Sequence, residues 1–419
     1  MISEREAREK ILEAVRPLPS RQAPLSRTLD CFAAENYFAR LPLPAFNNSA
    51  MDGYAVMASS CRKGQRLRLT GEQPAGPDRK LRVCAGEAVR IFTGAPIPEG
   101  ADAVVMQEDI TREETEIVIN VDVEPGEFIR QRGCDLAEGQ KMLSKGDRIG
   151  AAAAGLLASQ GFVEAMIGGE VKAAILSTGD ELVSPGEKLE PGQIYESNST
   201  LLSALARRSG AIVNSVEHCR DERQATIEAI QRGTKNDVLI ISGGVSVGEH
   251  DLVNDALRTL GAQIEIWRVA IKPGKPFLFG RIEGAEPSPQ SSPSKGEADA
   301  KAPGESEIAH HCCYVFGLPG NPVSGFVTFL QFVRPAILRM MGATELGLPQ
   351  VAATLTADLG NDGDRAHYIR GRLERGNFTS IGRQESHALF GLSRSNSLLR
   401  LEVGESLKAG AIVQVQIWD

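Results

Sequence analysis

Asn236-Asp237-Val238-Leu239-Ile240-Ile241-Ser242-Gly243-Gly244-Val245-Ser246-Val247-Gly248-Glu249-His250-Asp251 is an apolar run that passes straight into a glycine-rich loop. The run has the length and texture of a buried strand. The glycines let the backbone approach a ligand closely and aim several N–H groups at it, which suits an anion. A helix is expected to begin near Asp251, and its amino end would add favourable partial charge. The loop is neither a Walker A sequence nor the dinucleotide GxGxxG pattern. A tight strand-to-helix turn without a ligand remains the alternative.

Outward from this stretch, strand and helix patterns alternate. VKAAILSTGDEL (171–182) is an apolar strand running into a polar loop. SNSTLLSALARRSG (197–210) is a helix with Ser or Asn as its cap and Gly210 after it. AIVNSVEHC (211–219) is a strand, DERQATIEAIQRG (221–233) a helix, CCYVFGLPG (312–320) a strand, and about 321–341 a helix. This alternation predicts a parallel sheet covered on both faces, with ligands at the carboxyl ends of its strands. Residues 284–307 hold no aromatic and no β-branched residue, and read as a disordered surface insertion.

Several loops at those strand ends carry chemistry. Ser177-Thr178-Gly179-Asp180-Glu181-Leu182 offers hydroxyls and carboxylates for phosphate or Mg²⁺. Glu181 and Asp251 leave a parallel sheet on one edge, so a shared metal or substrate role is expected. Lys272-Pro273-Gly274-Lys275-Pro276 holds two lysines in a proline-stiffened stretch, suited to an oxyanion. Gly317-Leu318-Pro319-Gly320-Asn321-Pro322-Val323-Ser324 is another strand-to-helix passage, where Ser324 caps the helix or touches ligand. Asn48-Ser49-Ala50-Met51-Asp52-Gly53, Ile91-Phe92-Thr93-Gly94 and the Arg130, Arg132, Asp135 group add candidates, each of which could be an ordinary turn. No Ser/His/Asp or Cys/His pairing is legible among six histidines, which argues against nucleophilic hydrolysis.

The remaining chain frames this domain. Residues 3–16 are helical in pattern, with Pro17 and Pro19 as a stop, and 147–166 are helical again. From about 45 to 134, and over the last 75 or so residues, short strands sit between Gly and Pro turns. The layout predicted is multidomain α/β and β. It comprises a helical linker domain (1–45 and 136–168), an inserted small β-rich domain (46–135), a central three-layer α/β domain with a mostly parallel sheet (169–343), and a C-terminal β-barrel-like domain (344–419). Across 419 residues, 24% charged content is globular. A net charge of −8 weighs against a nucleic-acid binder. No apolar run approaches the ~20 residues of a membrane span. Seven cysteines without CxxC spacing point to reduced thiols in the cytoplasm.

Taken in order, NSAMDGYAV, IFTGAP, STGDEL, SNS, SGGVSVGEHD, IKPGKP and GLPGNPVS resemble the molybdopterin molybdenumtransferase family, which includes the C-terminal domain of gephyrin. The resemblance runs from about residue 7 to 419. It implies insertion of molybdenum from molybdate into adenylylated molybdopterin, with release of AMP and a need for Mg²⁺. It also implies an elongated homodimer, the inserted domain facing the partner's α/β domain and the active site between subunits. A molybdopterin adenylyltransferase is the implied upstream partner. By motif matching, Asp52, Thr93, Asp135, Asp221, Lys272 and Lys275 are catalytic candidates, and Glu181 and Asp251 are metal-ligand candidates. The resemblance implies substrate binding by Ser242, Gly243, Gly244, Ser246, Gly248, Arg130, Pro319, Pro322, Ser324, Arg370 and Ser386. Two other readings are weighed: a molybdopterin adenylyltransferase, which the extra β domains oppose, and a non-catalytic scaffold, which the intact acidic and basic candidates oppose.

Overall fold

The structure, a computed structural model, describes residues 1–245, 252–284 and 311–418. Ser246, Gly248, Asp251 and nearly all of the 284–307 insertion therefore lie outside the described residues. The chain forms two compact units, Met1–Ala34 with Lys145–Gly150 and Glu164–Asp419, and Glu35–Ser144 with Ala151–Val163. The two helical segments read together as a linker fall in different units. Helix α1 (Glu4–Ala14) belongs to the larger unit, and α2 (Ala151–Ser159) to the smaller.

The smaller unit is built on a mixed sheet of six strands: β1 (Gly53–Val56), β2 (Arg66–Gln73), β3 (Glu87–Ile91), β4 (Ala103–Met106), β5 (Ile110–Arg112) and β6 (Glu116–Ile119), ordered β4-β1-β3-β2-β6-β5. β1 alternates its side chains between two clusters. Tyr54 and Val56 join one and Ala55 the other, so both faces are buried. The helix expected over 147–166 is shorter. Gly161, at φ +76°, ends the helical stretch, and Glu164–Ile167 instead pairs antiparallel with Arg21–Pro24 in the larger unit.

The larger unit contains the expected α/β sheet. Its strands are β7 (Lys172–Thr178), β8 (Ile212–Cys219), β9 (Val238–Ser242), β10 (Gln263–Trp267), β11 (Leu278–Glu283) and β12 (Cys312–Leu318), ordered β8-β7-β9-β12-β11-β10. The first four in that order are parallel, and β11 and β10 join antiparallel. β9 shows why its sequence is apolar throughout. Val238 and Ile240 enter one core while Leu239 and Ile241 enter the other. Burial of each such side chain contributes roughly 1.5–3 kcal/mol, so a polar residue anywhere in the run would be costly. Helices α3 (Asn198–Arg208), α4 (Arg223–Gly233) and α5 (Leu252–Thr259) cover the two faces.

Two local expectations are corrected. The cap of α3 is not a hydroxyl: Glu196 Oε1 accepts from Ser199 N at 2.8 Å, and Ser197 makes no side-chain cap bond. The single helix expected over 321–341 is α6 (Pro322–Thr328) and α7 (Arg334–Met340), joined by a π-helical turn at Phe329–Val333.

The C-terminal strands β13 (Gln350–Leu355), β14 (Ala366–Glu374), β15 (Asn377–Ser380), β16 (Ser397–Leu401) and β17 (Ile412–Ile417) close on themselves. The ring runs β14-β15-β13-β17-β16 and back to β14. It encloses its own core of Leu355, Ile369, Phe378, Leu399 and Val415. Among the described residues, no helix is long and apolar enough to cross a membrane.

Candidate functional site

In the smaller unit, the NSAMDG and IFTGAP stretches are bound together. Ser49 N donates to Ala95 O at 3.0 Å, and Gly94 N to Ser49 O at 2.8 Å. The Thr93 amide and hydroxyl both donate to Asp52 Oδ1, each at 2.7 Å. These two bonds hold the Asp52 carboxyl below its ordinary range, so it is ionised at neutral pH. Arg130 pairs with Asn48 on the adjoining ladder, and its guanidinium reaches Ala50 O at 3.5 Å. Asp135 is exposed further along the chain, its amide bonded to Leu43 O at 3.0 Å. Asp52, Thr93 and Arg130 thus form one group, which Asp135 does not join by a hydrogen bond among the described residues.

In the larger unit, a continuous series of contacts runs along the carboxyl edge of the sheet. Asp221 N donates to Asp180 Oδ1 at 3.2 Å. Burial, then the neighbouring Asp180 and Glu181 charges, raise the pKa of Asp221. The Glu181 carboxylate folds over Gly179, where a methyl would lie 2.6 Å from Oε2. Thr178 lies against the next loop: a methyl at Gly243 would strike Thr178 O at 2.7 Å. Gly243 and Gly244 have φ of +89° and +66°, a path that glycine takes at least cost. Ser242, at the end of β9, accepts from Asn198 Nδ2 at 2.9 Å, and the same nitrogen donates to Gly320 O at 2.6 Å.

Beyond Gly320, the C-terminal barrel joins the edge. Asn321 Nδ2 donates to Ser386 Oγ at 3.0 Å, and Val323 N to Ser386 O at 3.1 Å. Pro319 is buried and Pro322 begins α6. Ser324 is buried in the first turn of that helix and does not cap it. The Lys272–Lys275 loop packs on the same turn: a methyl at Gly274 would lie 2.5 Å from Thr328 Cγ2 and 3.7 Å from Ser324 O. Both lysines are exposed. Arg370 is 1% exposed. Its guanidinium donates to Ala388 O at 2.9 Å, Glu385 O at 3.2 Å and Arg383 O, so it holds the loop that carries Ser386.

Two features escaped the sequence reading. Arg268 precedes the lysine loop with φ +72°, donates its amide to Phe277 O at 2.8 Å, and keeps a buried Nε without a partner among the described residues. Its position in WRVAIKPGKP, four residues before Lys272, was the available signal. A serine–histidine pair also exists: Ser177 Oγ lies 3.2 Å from His218 Nδ1, brought together by the β7–β8 register. Ser177 is 1% exposed, so this hydroxyl is not presented as a nucleophile.

The pairing of Lys272 with His367 across the ladder to β14 has a measurable consequence. Burial, and then the Lys272 and Arg370 charges, push the His367 pKa from the ordinary 6.5 down to about 4. The unfolded chain binds this proton first as pH falls, so stability is intact above pH 6.5 and drains away toward pH 4. His367→Leu is expected to flatten that part of the Tm-versus-pH curve. Parallel curves for the two proteins across the window would exclude the linkage.

A mostly parallel sheet covered by helices, with glycine turns and exposed lysines in the loops after its strands and β-rich regions before and after it in the chain, defines a multidomain α/β and β protein. Three family models match successive parts of the chain: MoeA N-terminal region (domain I and II) over residues 2–161, probable molybdopterin binding domain over 174–339, and MoeA C-terminal region (domain IV) over 352–418. The molybdopterin molybdenumtransferase of Haemophilus influenzae is 34% identical, covering 99% of this chain and 98% of that protein. Molybdopterin molybdenumtransferase 2 of Mycobacterium tuberculosis is 33% identical, covering 98% and 96%. The solved molybdopterin biosynthesis moeA protein of Pyrococcus horikoshii OT3 is 26% identical with a TM-score of 0.80, covering 100% of both chains. The chain belongs to the molybdopterin molybdenumtransferase family.

Proposed function

We propose that this protein inserts molybdenum from molybdate into adenylylated molybdopterin, releasing AMP and forming molybdenum cofactor. The observation that carries the reading is the joined edge just described, in which the Ser242–Gly244 turn, the Gly320–Ser324 passage, Ser386 and the lysine loop form one series of contacts. Full-length kinship to molybdenumtransferases supports it.

Both substrates are anions, molybdate a dianion and the pterin nucleotide a diphosphate. Lys272, Lys275, Arg130 and the half-buried Arg268 offset that charge. The glycine turns at Gly243 and Gly244 admit a phosphate close to the backbone, and Ser242, Pro319, Pro322 and Ser324 shape the wall beside it. Ser246 and Gly248, which lie outside the described residues, are also assigned to substrate binding. Arg370 serves through the loop it holds, keeping Ser386 on Asn321. Asp52, fixed by Thr93, orients water or an oxyanion, and Asp135 and Asp221 are further catalytic candidates.

Mg²⁺ fits the donors available. They are carboxylates, and the Asp180 and Glu181 charges that add to burial in raising the pKa of Asp221 are ones a cation would offset. Among the described residues, no group of three His, Cys, Asp or Glu could hold a metal. Mg²⁺ usually takes only one or two protein carboxylates, with water and phosphate supplying the rest. Glu181 and Asp251 would hold it, and when bound it would neutralise charge on the phosphoanhydride. We further propose a cytoplasmic homodimer with its active site shared between subunits, supplied by a molybdopterin adenylyltransferase.

The test is incubation of purified protein with adenylylated molybdopterin, molybdate and Mg²⁺. AMP release should accompany cofactor that activates a cofactor-free molybdoenzyme, and both should stop on chelation. Neither product in the complete mixture would overturn the reading.

A further inference from the structure

The SNS motif has no role in the chemistry above, yet its Asn198 side chain bridges two loops of the site. The carboxamide nitrogen donates at 2.9 Å to Ser242 Oγ, at the end of β9, and at 2.6 Å to Gly320 O, beyond β12. Its orientation follows from chemistry: exchanging the amide atoms would set Asn198 Oδ1 against the Gly320 carbonyl, acceptor on acceptor. Oδ1 therefore points the other way, buried and without a partner among the described residues. Thr178 Oγ1 and Ser199 Oγ are buried and unpartnered in the same sense. Thr178 Oγ1 lies beside the turn that Asn198 holds, 2.9 Å from where a methyl on Gly244 would stand. Unpartnered buried polar atoms are uncommon in folded proteins, and each calls for an explanation.

Gly243 N also donates to Leu318 O, at 3.2 Å. This backbone bond and the Asn198 bridge are two ties between the same pair of loops. Ser242 and Leu318 are register partners on adjacent strands, so sheet pairing fixes the strand ends. Past those ends, the glycines have no side chains with which to hold their own conformation.

We propose that Asn198 is a positioning residue for the reaction. Its carboxamide clamps the Ser242-Gly243-Gly244 turn to Gly320, so that the anion-binding backbone is set before the pterin nucleotide arrives. This rests on the function proposed above. Asn198 does not touch substrate; it acts through Ser242 and Gly320.

The experiment compares wild type with Asn198→Ala and the isosteric Asn198→Asp, which loses the donor and sets oxygen against the Gly320 carbonyl. Steady-state kinetics should give a KM for adenylylated molybdopterin raised about tenfold or more, with kcat changed far less. Hydrogen exchange, measured without ligand, should accelerate over residues 242–245 and 318–321 while Tm barely moves. An equal fall in kcat with unchanged KM overturns the proposal, as does wild-type exchange in Asn198→Asp. Should Asn198→Ala fail to fold, Asn198→Asp carries both measurements. If wild type itself releases no AMP, the function reading falls, and the exchange data alone decide whether the clamp exists.

Discussion

Arg370→Ala is expected to lower stability by about 3 kcal/mol or more and to depress cofactor formation together with it. The guanidinium satisfies three main-chain carbonyls, of Arg383, Glu385 and Ala388. Its backbone is locked to the same loop, with Arg370 N donating to Gln384 Oε1 at 2.9 Å and Gln384 Nε2 to Arg370 O at 3.0 Å. Truncation leaves three acceptors without their donors and opens a cavity in a residue only 1% exposed. Arg370→Lys should recover little. A single ammonium cannot reproduce a planar fork that reaches carbonyls in different directions. The consequence then travels along the chain: a loosened 383–388 loop releases Ser386 from Asn321 and Val323. Calorimetric Tm and AMP release measured on the same preparations test this. A lysine variant with both values at wild-type level would show that the fork has no such part.

Much of the larger unit was legible because its elements obey local rules. The run Val238–Ile241 is apolar at every position because both faces of β9 are buried, and the polar loop that follows had to leave the sheet. The glycines after Ser242 were readable as a special backbone path, and Gly243 and Gly244 take it at positive φ, with Thr178 and Val253 closing on the space a side chain would need. The pairing of Ser177 with His218 was not readable. It depends on the register of two parallel strands joined through α3, and nothing local fixes which residues of β7 and β8 stand side by side.

The same limit applies to side chains whose partners come from far along the chain. Motif matching marked Arg370 as a residue near substrate, but its burial and its carbonyl partners follow from how the 383–388 loop folds back on β14. Ser197 looked like a helix cap because hydroxyls often serve so. Glu196 took the role because its longer side chain reaches Ser199 N. The π-turn at Phe329–Val333 left no trace in sequence, since FLQFV suits a buried α-helix equally well. The limits of the 147–166 helix were set by partners for Glu164–Ile167 that lie far back, at Arg21–Pro24.

Gly53→Ala tests the smaller unit with a single methyl. Gly53 sits between β3 and β4, paired with Ile91 and Met106. A Cβ there would lie 2.0 Å from Val105 O and 2.9 Å from its carbonyl carbon. Those are backbone atoms held by a sheet ladder, so no flexible side chain can give way. The expected cost is about 3 kcal/mol or more, at the upper end of overpacking effects. Because Gly53 adjoins Asp52, the Thr93–Asp52 bonds should be displaced as well, and cofactor formation should fall further than the stability loss alone explains. Gly155→Ala supplies the contrast. Gly155 is an exposed residue within α2 where a methyl meets nothing within 4 Å, so alanine should stabilise by roughly 0.5–1 kcal/mol. Urea denaturation of the three proteins should therefore order them Gly155→Ala, wild type, Gly53→Ala from most to least stable. A Gly53→Ala protein with the wild-type midpoint and undiminished AMP release would mean that β1 can move away from β4 freely, and that Asp52 does not depend on their close approach.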